Sequence, residues 1–152
     1  MSVRKELYNA VASKLSELKI FDWIDLYKGQ LSNPNDNYPT GFPSAFISIG
    51  RINYEDMTMN GQEGEGVLEL YIFFNKGGDT FEGAEDKETS LKILDTLDTV
   101  VNTVQWLQSE YFQELTQIGE EDLTQRYNRP AYKLSFSLLV YNRLKQPNYV
   151  LN

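Results

Sequence analysis

The 152-residue chain contains no cysteine and no histidine. Without a thiol there is no disulfide framework, no Cys-ligated zinc site and no cysteine nucleophile. Without an imidazole there is no Ser-His-Asp or Cys-His device and no histidine acid or base. A long apolar run is missing as well. The longest stretches are a handful of residues, against the roughly 20 a membrane-spanning helix needs. The N-terminus runs from Met1-Ser2-Val3-Arg4-Lys5 straight into an amphipathic pattern, with no apolar core or small-residue cleavage site of a signal peptide. These absences predict a soluble chain in a reducing compartment that needs no metal or cofactor to fold. Clustered Lys and Arg are also lacking, which argues against sequence-specific nucleic-acid binding.

What the chain does have is a polarised surplus of carboxylates. The formal net charge of −8 lies within residues 55–88, where Glu55, Asp56, Glu63, Glu65, Glu69, Asp79, Glu82, Glu85, Asp86 and Glu88 meet only Lys76 and Lys87. Twelve acids and twelve bases balance over the rest. Such a distribution suits a surface that repels anions or meets a basic partner.

The length fits one domain over 1–152, with a flexible tail over about 145–152. Leu7, Ala10, Val11, Leu15 and Leu18 recur at helical spacing behind a Ser2 cap, predicting an opening helix. Trp23, Ile24, Leu26 and Tyr27 mark a short strand within 21–31. The polar residues 32–41, rich in Asn and Pro, predict a loop. Ala45, Ile47 and Ile49 then alternate with Ser44, Phe46 and Ser48 in a strand that can continue through Ile52 and Tyr54. Residues 60–66, Asn-Gly-Gln-Glu-Gly-Glu-Gly, read as the flexible acidic tip of a hairpin whose second strand is 67–74. That strand is apolar on both faces and therefore central. Residues 75–80 break it, and the segment 85–107 carries a helical stripe of Ile93, Leu94, Leu97, Val100, Val101, Val104 and Leu107. Residues 112–118 permit helix or strand. Tyr132, Leu134, Phe136, Leu138 and Val140 alternate in a closing strand. The expected fold is α+β: a single, mostly antiparallel sheet with two main helices on one face, in the order α-β-β-β-α-(short element)-β.

Motifs for chemistry are few. The Gly61-Gln62-Glu63-Gly64-Glu65-Gly66 run fails a dinucleotide fingerprint in spacing and charge, because its carboxylates would repel a pyrophosphate. Carboxylate pairs drawn from Glu55, Asp56, Glu63, Glu65 or Glu120-Glu121-Asp122 define one alternative, a carbohydrate-active enzyme. Neither acidic cluster has the register of a calcium loop. An adaptor or binding module is a second alternative, given ten tyrosines and two tryptophans. The residues thus assign no catalytic, cofactor or metal site.

The order of these patterns resembles the tail-completion, or tail-terminator, proteins of long-tailed bacteriophages and prophages. The likeness runs through the opening helix, the strand near Tyr27, the Pro39 and Pro43 loop entering Ala45 to Ile49, the apolar strand 67–74, the helix with Leu94, Leu97 and Val101, and the strand 132–140. The polar loop 32–41 and the Gln146-Pro147-Asn148-Tyr149 tail depart from that pattern. The resemblance implies a non-enzymatic structural protein that forms a ring, typically hexameric, at the end of a tail tube. It would stop tube polymerisation, contact tail-tube and head-connector proteins, and reside in the bacterial cytoplasm and then in the virion tail. On this reading Glu55, Asp56, Glu63, Glu65, Asp79 and Glu82 are assembly-interface residues, and the loops at 61–66 and 77–83 are mobile and make assembly contacts.

Overall fold

The computed structural model describes residues 2–32, 38–57, 60–75 and 79–143. The tail at 145–152, the loop positions 33–37 and 76–78, and thus Gly77 of the second expected acidic loop, lie outside the described residues.

The chain runs α1 (Val3–Glu17), β1 (Trp23–Leu26), β2 (Ser44–Asp56), β3 (Gly61–Phe73), α2 (Lys87–Val104), β4 (Thr116–Asp122), α3 (Thr124–Tyr127) and β5 (Ala131–Arg143). The five strands form one sheet in the order β1-β2-β3-β5-β4. Only the β1–β2 pair is parallel; the others are antiparallel. This is the expected α+β arrangement, with the short element before the last strand resolved as β4 plus the single-turn α3.

Ser2 caps α1 through a hydrogen bond that its hydroxyl accepts from the Lys5 backbone N–H (3.2 Å). Val3, Leu7, Val11 and Leu15 then fall on one face, and all are buried. They pack with Leu97, Val100 and Val104 of α2 over Ala45 and Ile47 of β2, Leu68, Leu70 and Ile72 of β3, and Leu134, Phe136, Leu138 and Val140 of β5. Both main helices therefore cover the same sheet face, and burying each large aliphatic side chain there contributes about 1.5–3 kcal/mol. Helix α2 is shorter than the apolar stripe suggested. Leu94 of that stripe is 46% exposed, and the helix stops where Trp106 takes a left-handed conformation (φ 70°).

The central strand β3 is apolar on both faces because both are covered at one end. Opposite the helices, Phe46, Phe73, Leu123 and Ala131 form a second, smaller core, walled by Trp23, Tyr27, Leu31, Phe42, Tyr71 and Tyr127. Residues of the β1–β2 connection and of α3 thus cover one end of that face.

Three expectations need correction. Residues 61–66 are not a flexible hairpin tip but the first half of β3, paired with β2 on one side and with β5 as far as Arg143 on the other. Glycine is poor in strands as a rule, but a Cβ on Gly64 would lie 2.6 Å from Ile52 and 2.7 Å from Tyr54. On Gly66 it would lie 2.6 Å from the Arg51 carbonyl oxygen. These glycines let β2 side chains and backbone close over the strand. The strand expected within 21–31 is limited to Trp23–Leu26. Residues 112–118 are neither a helix nor one strand: Phe112 makes an isolated bridge to Val140, and β4 starts only at Thr116.

Candidate assembly interface

Side chains alternate across a strand, so the register assigns each acidic residue to a face. On β3, Leu68, Leu70 and Ile72 point to the helices, which turns Glu63, Glu65, Val67, Glu69, Tyr71 and Phe73 to the opposite, open face. A register shift between Ile49 and Ile52 keeps Ile52 and Tyr54 on the helix side and places Asn53 and Glu55 on the open face. Glu55 is directly opposite Glu63, and Asn53 directly opposite Glu65. The open face therefore grades along β3 from an aromatic, covered end at Phe73 and Tyr71 to an acidic end where Glu65 is exposed and Glu63 half-buried.

At the aromatic end Tyr27 stacks on Tyr71, with ring centroids 4.0 Å apart and planes 6° from parallel. The Tyr71 hydroxyl donates to Glu69 (2.9 Å), and the Tyr27 and Tyr127 hydroxyls share a hydrogen bond (3.3 Å). Burial pushes the Tyr27 phenol up to about 12, helped by the hydrogen bond with Tyr127. Burial, then the hydrogen bond to Glu69 and the negative charge of that carboxylate, raises Tyr71 further. The phenols at this end stay neutral and hydrogen-bonded at ordinary pH.

At the acidic end no carboxylate is held in an ion pair among the described residues. The ion pairs among the described residues are Lys14–Glu17, Lys28–Asp25, Lys87–Glu82 and Lys133–Glu121, and none involves Glu55, Glu63, Glu65 or Glu69. Across β3, Glu63 faces Tyr141 and Glu65 faces Leu139 of β5, and neither supplies a cation. Two carboxylates at directly opposed strand positions repel, with Cβ atoms about 5 Å apart.

The six sequence-predicted residues separate into groups. Glu55, Glu63 and Glu65 come together on the open face. Asp56, paired with Gln62, accepts a hydrogen bond from the Gln62 amide (3.1 Å) at the end of the same hairpin. Asp79 and Glu82 belong to the approach to α2. There Lys87 contacts Glu82 at 2.6 Å, and the Asp79 backbone N–H donates to Asp86 (3.2 Å). Sequence reasoning passed over Glu69 as a strand residue, although the period of two that made β3 central also places it on the open face, with Val67 between it and Glu65. The Glu120-Glu121-Asp122 run forms the end of edge strand β4, with Glu121 on Lys133 at 3.1 Å and Asp122 accepting from the Thr124 N–H at 2.8 Å. Among the described residues no cluster of acids is grouped to hold a metal ion.

A groove of about 1250 Å³ runs between α2 and the β4–α3 corner, lined by Ser90, Leu94, Arg126, Arg129 and Tyr132 among others. It is wide open, and Arg129 is engaged there with the Phe42 ring at 4.0 Å. No described helix is long and apolar enough to cross a membrane. Compared with known proteins, the chain matches no family model and no curated protein.

Proposed function

We propose that the chain is a structural protein of the tail-terminator kind. It assembles as a ring, hexameric as in the family it resembles, at the end of a phage or prophage tail tube, where it halts tube growth and offers a surface to the head or its connector. The observation that carries this reading is the open sheet face. Glu55, Glu63, Glu65 and Glu69 stand on strand positions, with no ion-pair partner among the described residues. A conduit for DNA needs walls that do not grip phosphate, and fixed negative charge meets that need without a binding site. Holding the charges on strands rather than on loops keeps the wall in place as the polymer passes.

The reading assigns no catalytic residue and no cofactor, and takes the partners to be further copies of the chain, tail-tube subunits and the head connector. Such a protein acts in the cytoplasm of the bacterial host and then in the virion tail. Native mass spectrometry over a concentration series, with negative-stain images of the same samples, tests the ring. One discrete oligomer with a central hole supports it. A species that stays monomeric alone and also in the presence of tail-tube subunits contradicts it.

A further inference from the structure

Among the described residues the sheet is open at both sides. Strand β1 pairs with β2 only at Ser44 to Ile47, and the Tyr27 N–H donates to the Ile47 carbonyl where that pairing stops. From 48 to 56 no described residue pairs with the outer side of β2. At the far side of the sheet β4 is the last strand. Its outer side is closed at Gln117, whose N–H donates to the Gln105 side chain (2.9 Å), but beyond that point no described residue caps it. Open edges of this kind are templates for another strand.

We propose that copies of this chain join edge to edge, the end of β4 from one copy adding to residues 50–53 of β2 in the next. This pairing rests on the ring reading above and supplies its subunit contact.

Direction, face and charge all fit. The strands β2, β3, β5 and β4 alternate in direction, so β4 runs antiparallel to β2. Rotation about an axis along the strands preserves direction, and the new pair is therefore antiparallel. A register with Gly119 opposite Asn53 places Glu120 opposite Ile52, Glu121 opposite Arg51 and Asp122 opposite Gly50. Directly opposed residues must share a face, and they do. Gly119 pairs with Ser135, which faces Glu69, so it shares the open face with Asn53. Glu120 pairs with Leu134, and so shares the helix face with Ile52.

On each face one acid at the end of β4 meets one base at the β2 edge. Residues 105–123 hold Glu110, Glu114, Glu120, Glu121 and Asp122 and no Lys or Arg. The β2 edge carries Arg51, which donates to Asn53 (3.0 Å), and on the helix side Arg4, which lines a small cleft with Ile49, Gly50, Ile52 and Tyr54. Glu121 thus approaches Arg51 on one face, and Glu120 approaches Arg4 on the other. Beside this edge Trp106 and Ile118 are 65% and 58% exposed, providing apolar area for the contact. The register shifts at Ile49/Ile52 and at Gln117/Gly119 bend both edges and confine the ladder to these few residues.

Cysteine cross-linking tests the pairing in a chain that has no cysteine of its own. Opposed strand residues have Cα atoms about 4.5–5.5 Å apart, within disulfide range. Asn53 is exposed, and an added Cβ at Gly119 meets nothing within 4 Å. A mixture of the single variants Asn53→Cys and Gly119→Cys, oxidised at the highest soluble concentration, should give a mixed disulfide dimer. The double variant should give covalent oligomers, since β3 and β5 separate the two positions within one copy. Arg4→Glu should lower the cross-link yield about fivefold, and Glu120→Lys in the same chain should restore it. Closed covalent rings support both the pairing and the ring reading; unlimited ladders support the pairing and count against the ring. Homotypic dimers alone, or no cross-link, overturn the edge pairing, and a discrete oligomer seen alongside that result leaves the ring reading standing.

Discussion

Glu55 of β2 and Glu63 of β3 are directly opposed on the open face of the sheet, two carboxylates in cross-strand register with no intervening cation among the described residues. Such a pair destabilises the folded chain. Replacing Glu63 by Gln should raise unfolding free energy by roughly 0.2–1 kcal/mol, and added salt should shrink the difference between the two proteins. Urea titrations at low and high ionic strength check this; a Glu63→Gln protein less stable than the parent at low salt would contradict it.

The two glycines in β3 differ in what a methyl group would strike. At Gly66 the obstacle is the Arg51 carbonyl oxygen at 2.6 Å, which is backbone; at Gly64 it is the side chains of Ile52 and Tyr54. Gly66→Ala should therefore cost about 1–3 kcal/mol and exceed the cost of Gly64→Ala. Equilibrium unfolding of both variants measures the order.

Alkaline pH should loosen the aromatic end first. The Tyr27 phenol titrates near 12 in the folded chain against 10.0 for the ordinary group, and Tyr71 is raised as well. The folded state therefore holds protons that the unfolded chain gives up. The stability this contributes is intact below pH 10 and is lost as pH rises through the folded values. Unfolding free energy should fall from about pH 10 to 12, and Tyr71→Phe should make that fall shallower while costing about 1 kcal/mol at neutral pH through the lost bond to Glu69. Tyrosinate absorbance followed during denaturation reports both effects.

Trp106 combines a left-handed backbone with 65% exposure, a poor bargain for an isolated fold. A left-handed residue with a side chain costs on the order of 1 kcal/mol. Trp106→Gly should leave the monomer as stable as the parent or more so, while weakening self-association. Thermal melts and light scattering on the same samples separate the two effects.

Periodic elements were legible in the sequence because their partners are interchangeable apolar surfaces. The stripe Leu97, Val100, Val104 needs only a sheet to lie on, and Ala45, Ile47, Ile49 needs only a covered face. Residues 61–66 were not legible, since Gly and Glu have little strand propensity of their own. That half of β3 is set by its thirteen-residue register with β5 and by Ile52 and Tyr54 closing over Gly64. The candidate interface was legible as composition but not as a surface. Glu55, Glu63 and Glu65 become one face, apart from Asp79 and Glu82, only when the bulge after Ile49 and the strand pairing are known.

Electron microscopy of tail tubes assembled from the matching tube protein, with and without this chain, shows whether the chain caps a tube end. The chain should bind as a single ring at one end of each tube and stop its elongation. Tubes that grow to the same length with bare ends, or chain decorating the tube wall instead of its end, would contradict it.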